Sequence, residues 1–131
     1  MEISITIEHT RGAIAIMKPT GEINASNFTE VVDKAQEIYN NPARNLILDL
    51  SEVPGISSTG QVALHKIALL YSGVPQKVEA DENPDFTHNS NARKHVKLLN
   101  PQPEVDKILE QAGLKLFFKV FYDLESAIQS F

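Results

Sequence analysis

The sequence feature that most constrains the fold is a short, almost wholly apolar run, Leu46-Ile47-Leu48-Asp49-Leu50. Such continuous runs are typical of strands that are covered on both faces, as in parallel sheets. Apolar residues recur at helical spacing before the run, from Phe28 to Tyr39, and again after it, from Gln61 to about Tyr71. A buried strand between two helices predicts parallel crossover connections and therefore an α/β fold.

The first residues predict an antiparallel hairpin. Ile3, Ile5 and Ile7 alternate with polar neighbours, as in a strand with one buried face. A turn at residues 9–12 separates this strand from a second one, Ala13 to Met17. The chain therefore opens with two antiparallel strands ahead of the first helix.

The C-terminal part continues the alternation of strands and helices. His95 to Leu99 predicts a short strand, residues 103–112 a helix ended by Gly113, Leu116 to Phe121 a last strand, and residues 124–131 a final helix. The predicted order is β-β-α-β-α-β-α-β-α. It describes a mixed, mostly parallel sheet that is opened by an antiparallel hairpin, with helices packed on it.

Residues 72–94 interrupt this pattern. The segment is rich in proline, asparagine and charged residues, and we interpret it as a polar loop insertion within one domain, residues 1–131. It leaves the end of one helix and returns at the start of a strand. Some of its side chains could chelate a cation weakly, although solvated loop charges account for them more simply: Asp81, Glu82, Asp85 and His88. We expect no metal site.

Composition narrows the class of function. A net charge of -5 argues against nucleic acid binding, which needs a basic surface. The absence of cysteine excludes disulfides, thiolate metal sites and cysteine nucleophiles. The acidic, alternating N-terminus is not a signal peptide, and no apolar run approaches the roughly 20 residues that span a bilayer. We expect a cytoplasmic protein without a cofactor.

Three segments lie at the joints between these elements: Gly21-Glu22-Ile23-Asn24, residues 46–60 and residues 100–114. Together they resemble the STAS family, the sulfate transporter and anti-sigma factor antagonist domains. The first segment is similar to the Gly-Glu-apolar-Asp turn of that family, the second to its apolar strand followed by an Asp-Ser-x-Gly switch, and the third to its third helix and the following turn. The resemblance covers nearly the whole chain outside the insertion and implies a STAS-like fold.

The same resemblance implies a function. In the anti-sigma factor antagonists, a kinase that is also an anti-sigma factor phosphorylates the switch serine, and the unphosphorylated form binds that kinase. Ser58 occupies the phosphoacceptor place, with Ser57 and Thr59 as secondary acceptors. Ser57 and Asn24 stand where the family has aspartates, which alters the electrostatic match to a kinase. The implied partner-binding residues are Asn24, Ser57, Ser58, Thr59, Gly60 and Gln61.

Ser58 also has a purely structural interpretation. Ser58-Thr59-Gly60-Gln61 has the spacing of a capping box, in which the Ser58 side chain accepts a hydrogen bond from the Gln61 N–H. A cap contributes about 0.5–2 kcal/mol, enough to keep a serine for stability alone.

The functional alternative is a STAS module without phosphorylation, acting as a scaffold or small-ligand sensor in a larger signalling assembly. Self-association as a homodimer stays open.

Signatures of catalysis are missing from the same segment. Gly55 to Gly60 has the glycine spacing of a P-loop, but Gln61 and Val62 follow where lysine and serine or threonine are required. The segment is not a Gly-x-Ser-x-Gly nucleophile elbow, and no base-orienting constellation accompanies it. We therefore predict a protein-interaction module with no catalytic residues, not an enzyme.

Overall fold

A five-stranded sheet in sequential order, β1-β2-β3-β4-β5, forms the centre of the protein. The computed structural model describes residues 2–9, 12–40, 45–72 and 95–131. The β1 and β2 strands are antiparallel, whereas β2, β3, β4 and β5 pair in parallel. The strand bounds are β1 Glu2–Glu8, β2 Ile14–Thr20, β3 Asn45–Asp49, β4 Val96–Leu99 and β5 Lys119–Phe121.

Helices cover both faces of this sheet. Within the described residues they are α1 Phe28–Tyr39, α2 Ser58–Ser72, α3 Pro103–Gln111 and α4 Leu124–Gln129, with a 3-10 helix at Leu114–Leu116. Apolar residues of α1, α2 and α3 share the larger core with one face of the strands, and α4 packs on the other face. The predicted α/β fold and its mixed sheet are confirmed.

The β3 strand is buried on both faces, as its apolar run predicts. Leu46 and Leu48 belong to the core beneath α1 and α2, while Ile47 lies in the cluster beneath α4. All three side chains are fully buried. Because helices cover both faces of β3, the side chains on each face are apolar. The run therefore does not alternate between apolar and polar residues.

The β2 strand extends three residues beyond the predicted end at Met17. Its whole length, to Thr20, pairs with β1, whereas β3 pairs only with Ile14 to Met17. Pro19 has no N–H to donate, and it lies in the part of β2 that has no β3 residue beside it. This is the position at which a strand tolerates proline.

The last strand is shorter than predicted. A strand from Leu116 to Phe121 was expected, but Gly113 turns the chain with a φ of 72°, and β5 begins only at Lys119. The N–H groups of Phe117 and Phe118 both donate to the Leu114 carbonyl, at 3.0 and 3.1 Å. Leu114 and Phe118 are both buried. In this helical turn the two side chains, four residues apart, lie on the same side, and both belong to the core.

The predicted insertion falls outside the described residues from 73 to 94, as do Asp81, Glu82, Asp85 and His88. Its two ends are described. The end of α2 is one, and the other is His95, whose Nδ1 lies 2.7 Å from Oδ1 of Asn45 at the start of β3. Because β3 runs from Asn45 towards the loop that leads to Ser58, this end of the sheet is opposite to Ser58. In the parts of the chain that the structure describes, no helix is long and apolar enough to cross a membrane.

Candidate functional site

The turn after β2 and the loop after β3 lie against each other at one end of the sheet. Ile23 and Ile56 form an isolated parallel bridge. The Ile23 N–H donates to the Gly55 carbonyl at 3.2 Å, and the Ser57 N–H donates to the Ile23 carbonyl at 3.0 Å. Gly21 adds a third bond, from its N–H to the Glu52 carbonyl, at 2.9 Å. These bonds fix the Asn24 turn beside the start of α2.

A shallow, open depression of about 510 Å³ lies where the two segments meet. The sequence prediction placed Asn24 and the serines together, and the structure brings them to one surface. Ala25 and Ser26 also border it, and neither was predicted. The spacing Asn24-x-Ser26, typical of an Asx-turn, was the signal available for Ser26. The lining residues are Asn24, Ala25, Ser26, Ser57, Ser58 and Thr59.

Gly60 permits this close approach. A Cβ atom on Gly60 would run into the carbonyl of Ile23 and would lie 2.9 Å from the Cγ2 atom of Ile56. Real Cβ atoms do not come this close to backbone, so any other residue would push α2 away from the Asn24 turn. The glycine of the motif is therefore explained by packing, and its side of the helix is buried.

The cap of α2 is Ser57, so the alternative interpretation of Ser58 as the capping residue is wrong. The Ser57 Oγ accepts a hydrogen bond from the Gly60 N–H at 3.1 Å. The Gln61 N–H donates to the backbone carbonyl of Ser57 at 2.9 Å. The bridge to Ile23 sets where the helix begins, and it places Ser57 one residue ahead of the first turn. The capping hydrogen bond therefore joins Ser57 and Gly60, one residue earlier in the chain than the Ser58–Gln61 pair of the capping box.

Ser58 does not contribute its side chain to the cap of α2. It is the first residue of α2 and its side chain is exposed, while Thr59 and Gln61 are half-buried. Within the described part of the chain, the Ser58 hydroxyl has no hydrogen-bond partner. N–H groups in the first turn of a helix favour negative charge nearby. An exposed hydroxyl at this position is accessible to an enzyme that would modify it.

Asn24 organises its own turn through both ends of its side chain. Its Oδ1 accepts from the Ser26 N–H at 3.0 Å and from the Ser26 hydroxyl at 2.6 Å. Its Nδ2 donates to a carboxylate oxygen of Glu22 at 3.3 Å. The Asn24 N–H donates to Oδ1 of Asn27 at 2.9 Å, and the Phe28 N–H donates to the Asn24 carbonyl at 2.9 Å. The amide of Asn24 thus holds the border of the depression in place.

The exposed surface continues along α2. Val62 lies one helical turn after Ser58, and its side chain is 42% exposed. One turn further, the Lys66 ammonium lies 5.7 Å from the centre of the Phe28 ring, at the start of α1. A partner that covers the depression would therefore meet an apolar side chain and a cation on the same helix face. Among the described residues, no group of three or more histidine, aspartate or glutamate side chains could hold a metal ion.

The comparison with protein families agrees with the motifs at this site. The model of the STAS domain matches residues 4–72, more than half of the 131 residues. The chain belongs to the STAS domain family. The matched part of this STAS domain includes the Asn24 turn and the whole of α2. Among curated proteins, none matches the chain.

Solved structures of similar fold include two anti-sigma factor antagonists and a variant of RsbS. An anti-sigma factor antagonist from Mycobacterium paratuberculosis has a TM-score of 0.68 at 17% identity, over 98% of this chain and 93% of that one. The unphosphorylated anti-sigma factor antagonist SpoIIAA has a TM-score of 0.62 at 17% identity, over 96% and 94%. A serine-to-glutamate variant of RsbS from Moorella thermoacetica has a TM-score of 0.65 at 14% identity, over 98% and 93%. At these identities the likeness shows the fold that the STAS domain shares with them.

Proposed function

We propose that this STAS domain is an anti-sigma factor antagonist-like regulator of transcription in the cytoplasm, which binds a kinase-type anti-sigma factor and is switched by phosphorylation of Ser58. The observation that carries the proposal is the exposed Ser58 hydroxyl, which borders the depression and has no hydrogen-bond partner in the described residues. Membership of the STAS family and the fold shared with anti-sigma factor antagonists support the same role.

The switch follows from charge. Phosphorylation adds about -1.5 to -2 charges and three acceptor oxygens at Ser58. The start of α2 tolerates this charge, since its first N–H groups and the helix dipole favour an anion. A partner docked over the depression would have to remove water from the phosphate without providing matched donors, which is costly. Phosphorylation and partner binding therefore exclude each other without any change in the fold.

The binding surface consists of the residues that the motif implies together with their neighbours on α2. Asn24, Ser57, Ser58 and Thr59 offer polar contacts around the depression. Val62 offers an exposed apolar contact beside them. Gly60 and Gln61 act mainly through the shape of the first turn, since Gly60 is buried and Gln61 is half-buried. The role is binding, not catalysis.

Phosphorylation and partner capture test the proposal together. The protein is purified from its host under growth and stress conditions, and phosphate is located by peptide mass spectrometry. Immobilised Ser58→Ala and Ser58→Asp variants then capture host proteins, with Gln129→Asp, an exposed residue of α4 on the other face of the sheet, as the matched charge control. The captured kinase is finally incubated with the protein and Mg·ATP.

The expected result is phosphate on Ser58 and a serine kinase retained by the Ser58→Ala and Gln129→Asp variants. The Ser58→Asp variant should retain at least about tenfold less kinase, because the partner would have to bury the added charge. The kinase should phosphorylate the unmodified protein and not Ser58→Ala. Equal retention by all three variants, with no phosphate on Ser58 in any condition, would contradict the proposal.

One observation favours a second candidate function. Ser57 and Asn24 are neutral residues at positions where the family has aspartates. Both side chains make hydrogen bonds within the protein: Ser57 caps α2, and Asn24 stabilises its own turn. A STAS domain whose switch has been lost would act as a scaffold or small-ligand sensor in a larger signalling assembly. Light scattering that finds a stable oligomer, together with an unphosphorylated Ser58, would favour this candidate.

A further inference from the structure

The β1 strand forms one edge of the sheet in the described part of the chain. It is the outermost strand of the described sheet, and β2 is its strand partner. Edges of this kind are usually protected by a charge, a proline or a bulge near their middle. Residues 3–7 contain neither a charged residue nor a proline. The glutamates of β1 stand only at its ends, Glu2 and Glu8. Among the described residues, no strand pairs with the outer side of β1, so its backbone can pair with a further strand.

Apolar side chains along this edge are incompletely covered. Ile5 and Ile7 are directly opposite Met17 and Ala15 in the β1–β2 pair, so they lie on the face of the sheet that carries α1. Met17 and Ala15 are fully buried, but Ile5 is 39% exposed and Ile7 is 44% exposed. Of the three isoleucines of β1, only Ile3 packs against the core. A strand beside β1 would place its own side chains against Ile5 and Ile7.

An acidic groove lies between β1 and α1 on the same face. Its volume is about 400 Å³, and Ile3 contributes its β1 side. The α1 side carries three carboxylates and one ammonium, and the Lys34 Nζ lies 3.4 Å from Oε2 of Glu37. Among the described residues that line the groove, carboxylates outnumber ammonium groups, as acidic residues outnumber basic ones in the whole chain. The α1 residues that line it are Glu30, Asp33, Lys34 and Glu37.

Charge argues against a second copy of this chain as the occupant. Antiparallel pairing of two β1 strands about Ile5 would set Glu2 of each copy opposite Glu8 of the other. The acidic sides of both α1 helices would also face each other on one side of the joined sheet. Like charges placed directly opposite each other are destabilising. A basic partner satisfies the same edge and removes both conflicts.

We propose that the free edge of β1 and the acidic side of α1 bind an extended segment of a partner protein in which apolar and basic residues alternate. The segment adds to the sheet as a sixth strand, held by backbone hydrogen bonds along β1. Its apolar residues cover Ile5 and Ile7, and its basic residues meet the carboxylates of α1. The surface does not include the residues that line the Ser58 depression, so it does not depend on the proposed function.

Synthetic peptides test this surface on the whole protein. The probe is a fluorescent nine-residue peptide that alternates valine and lysine, and the matched control alternates valine and glutamate. Binding is followed by anisotropy up to about 1 mM protein, the weak end of measurable affinity. Hydrogen exchange reports on the amides of residues 3–7 with and without peptide, and light scattering reports the mass of the protein alone.

Two pairs of substitutions separate the apolar and the charged contributions. Ile5→Thr with Ile7→Thr removes apolar surface while it keeps residues that favour strands. Asp33→Asn with Glu37→Gln neutralises the groove, and Glu104→Gln with Glu110→Gln makes the same change in charge on exposed residues of α3. We expect each of the first two pairs to weaken binding of the lysine peptide by about fivefold, and the α3 pair to leave it unchanged.

The lysine peptide should bind more tightly than the glutamate peptide, lose affinity with added salt and protect the β1 amides from exchange. The proposal is overturned if neither peptide binds, if both bind equally, or if the β1 amides stay unprotected. It is also overturned if light scattering finds a dimer of the protein alone whose mass falls to that of a monomer in the Ile5→Thr, Ile7→Thr variant, because the occupant would then be a second copy.

Discussion

Ser57 and Gly60 close the first turn of α2, with the Gly60 N–H donating to the Ser57 Oγ at 3.1 Å. The neighbouring Ser58 is exposed, and within the described residues its hydroxyl bonds to nothing. Stability and accessibility are thus divided between two adjacent serines. A modification of Ser58 would leave the cap of α2 intact, so the fold and the proposed switch can be tested by separate substitutions.

Removal of the two hydroxyls should have different effects on stability. Ser57→Ala leaves the Gly60 N–H without its acceptor and should lower the free energy of unfolding by about 1 kcal/mol, the usual worth of a cap. Ser58→Ala removes an exposed hydroxyl and should change it by less than about 0.5 kcal/mol. Urea denaturation of the two variants checks this. A larger loss for Ser58→Ala than for Ser57→Ala would show that Ser58 is the cap after all.

Gly60 should tolerate no side chain. Its Cβ would run into the Ile23 carbonyl, which itself accepts a hydrogen bond from the Ser57 N–H. We expect Gly60→Ala to lower the free energy of unfolding by about 2–4 kcal/mol, because backbone on both sides must move. Gly55→Ala is the control, since its Cβ would lie at an ordinary 3.5 Å from Glu22 Oε2. Thermal and urea unfolding of the two variants should differ clearly, and similar losses would contradict the steric argument.

The sequence determines most of the architecture because the period of its apolar residues differs between elements. The apolar run at Leu46 to Leu48 and the alternation at Ile3, Ile5 and Ile7 are both found as strands. The exception is the segment from Leu114 to Phe118, where the consecutive apolar residues Leu116, Phe117 and Phe118 are compatible with either period. The structure has a turn there, with Gly113 at a φ of 72° and two N–H groups donating to the Leu114 carbonyl, so the strand begins only at Lys119.

The site was only partly predictable for a related reason. The meeting of Asn24 with Ser57 and Ser58 follows from the rule that parallel strands end at one edge of a sheet. The identity of the cap does not, because Ser57 and Ser58 are chemically the same and local sequence permits either register. The long-range bridge between Ile23 and Ile56 selects Ser57. The spacing of a motif could not reveal a contact between residues 33 positions apart in the chain.

A buried phenol ties α1 to α2. The Tyr71 hydroxyl donates to the Ala35 carbonyl at 3.0 Å, and burial, followed by the nearby Tyr39, raises the pKa of Tyr71 above its usual range. Tyr71→Phe should lower the free energy of unfolding by about 1 kcal/mol, the net worth of a hydrogen bond. Tyr122→Phe, at a residue that is 60% exposed, should change it by less than about 0.5 kcal/mol. Chemical denaturation of both variants measures the difference, and equal losses would contradict it.

Asp123 should make the stability of the protein depend on pH. Its carboxylate caps α4 by accepting from the Ser126 N–H at 2.8 Å, and hydrogen bonds from the side chain and then the backbone of Ser126 lower the pKa of Asp123 from its usual 3.8. A carboxyl group with a lowered pKa in the folded state contributes stability that is present above its unfolded pKa and lost as the pH falls through the folded one. Asp123→Asn keeps a capping residue but cannot titrate there. Unfolding free energies measured from about pH 6 down to about pH 2, across the usual range of an aspartate, should therefore fall more steeply for the unmodified protein than for Asp123→Asn. Ser126→Ala removes only the side-chain donor and should give an intermediate slope, whereas identical slopes for all three proteins would show that this cap does not contribute to the pH dependence.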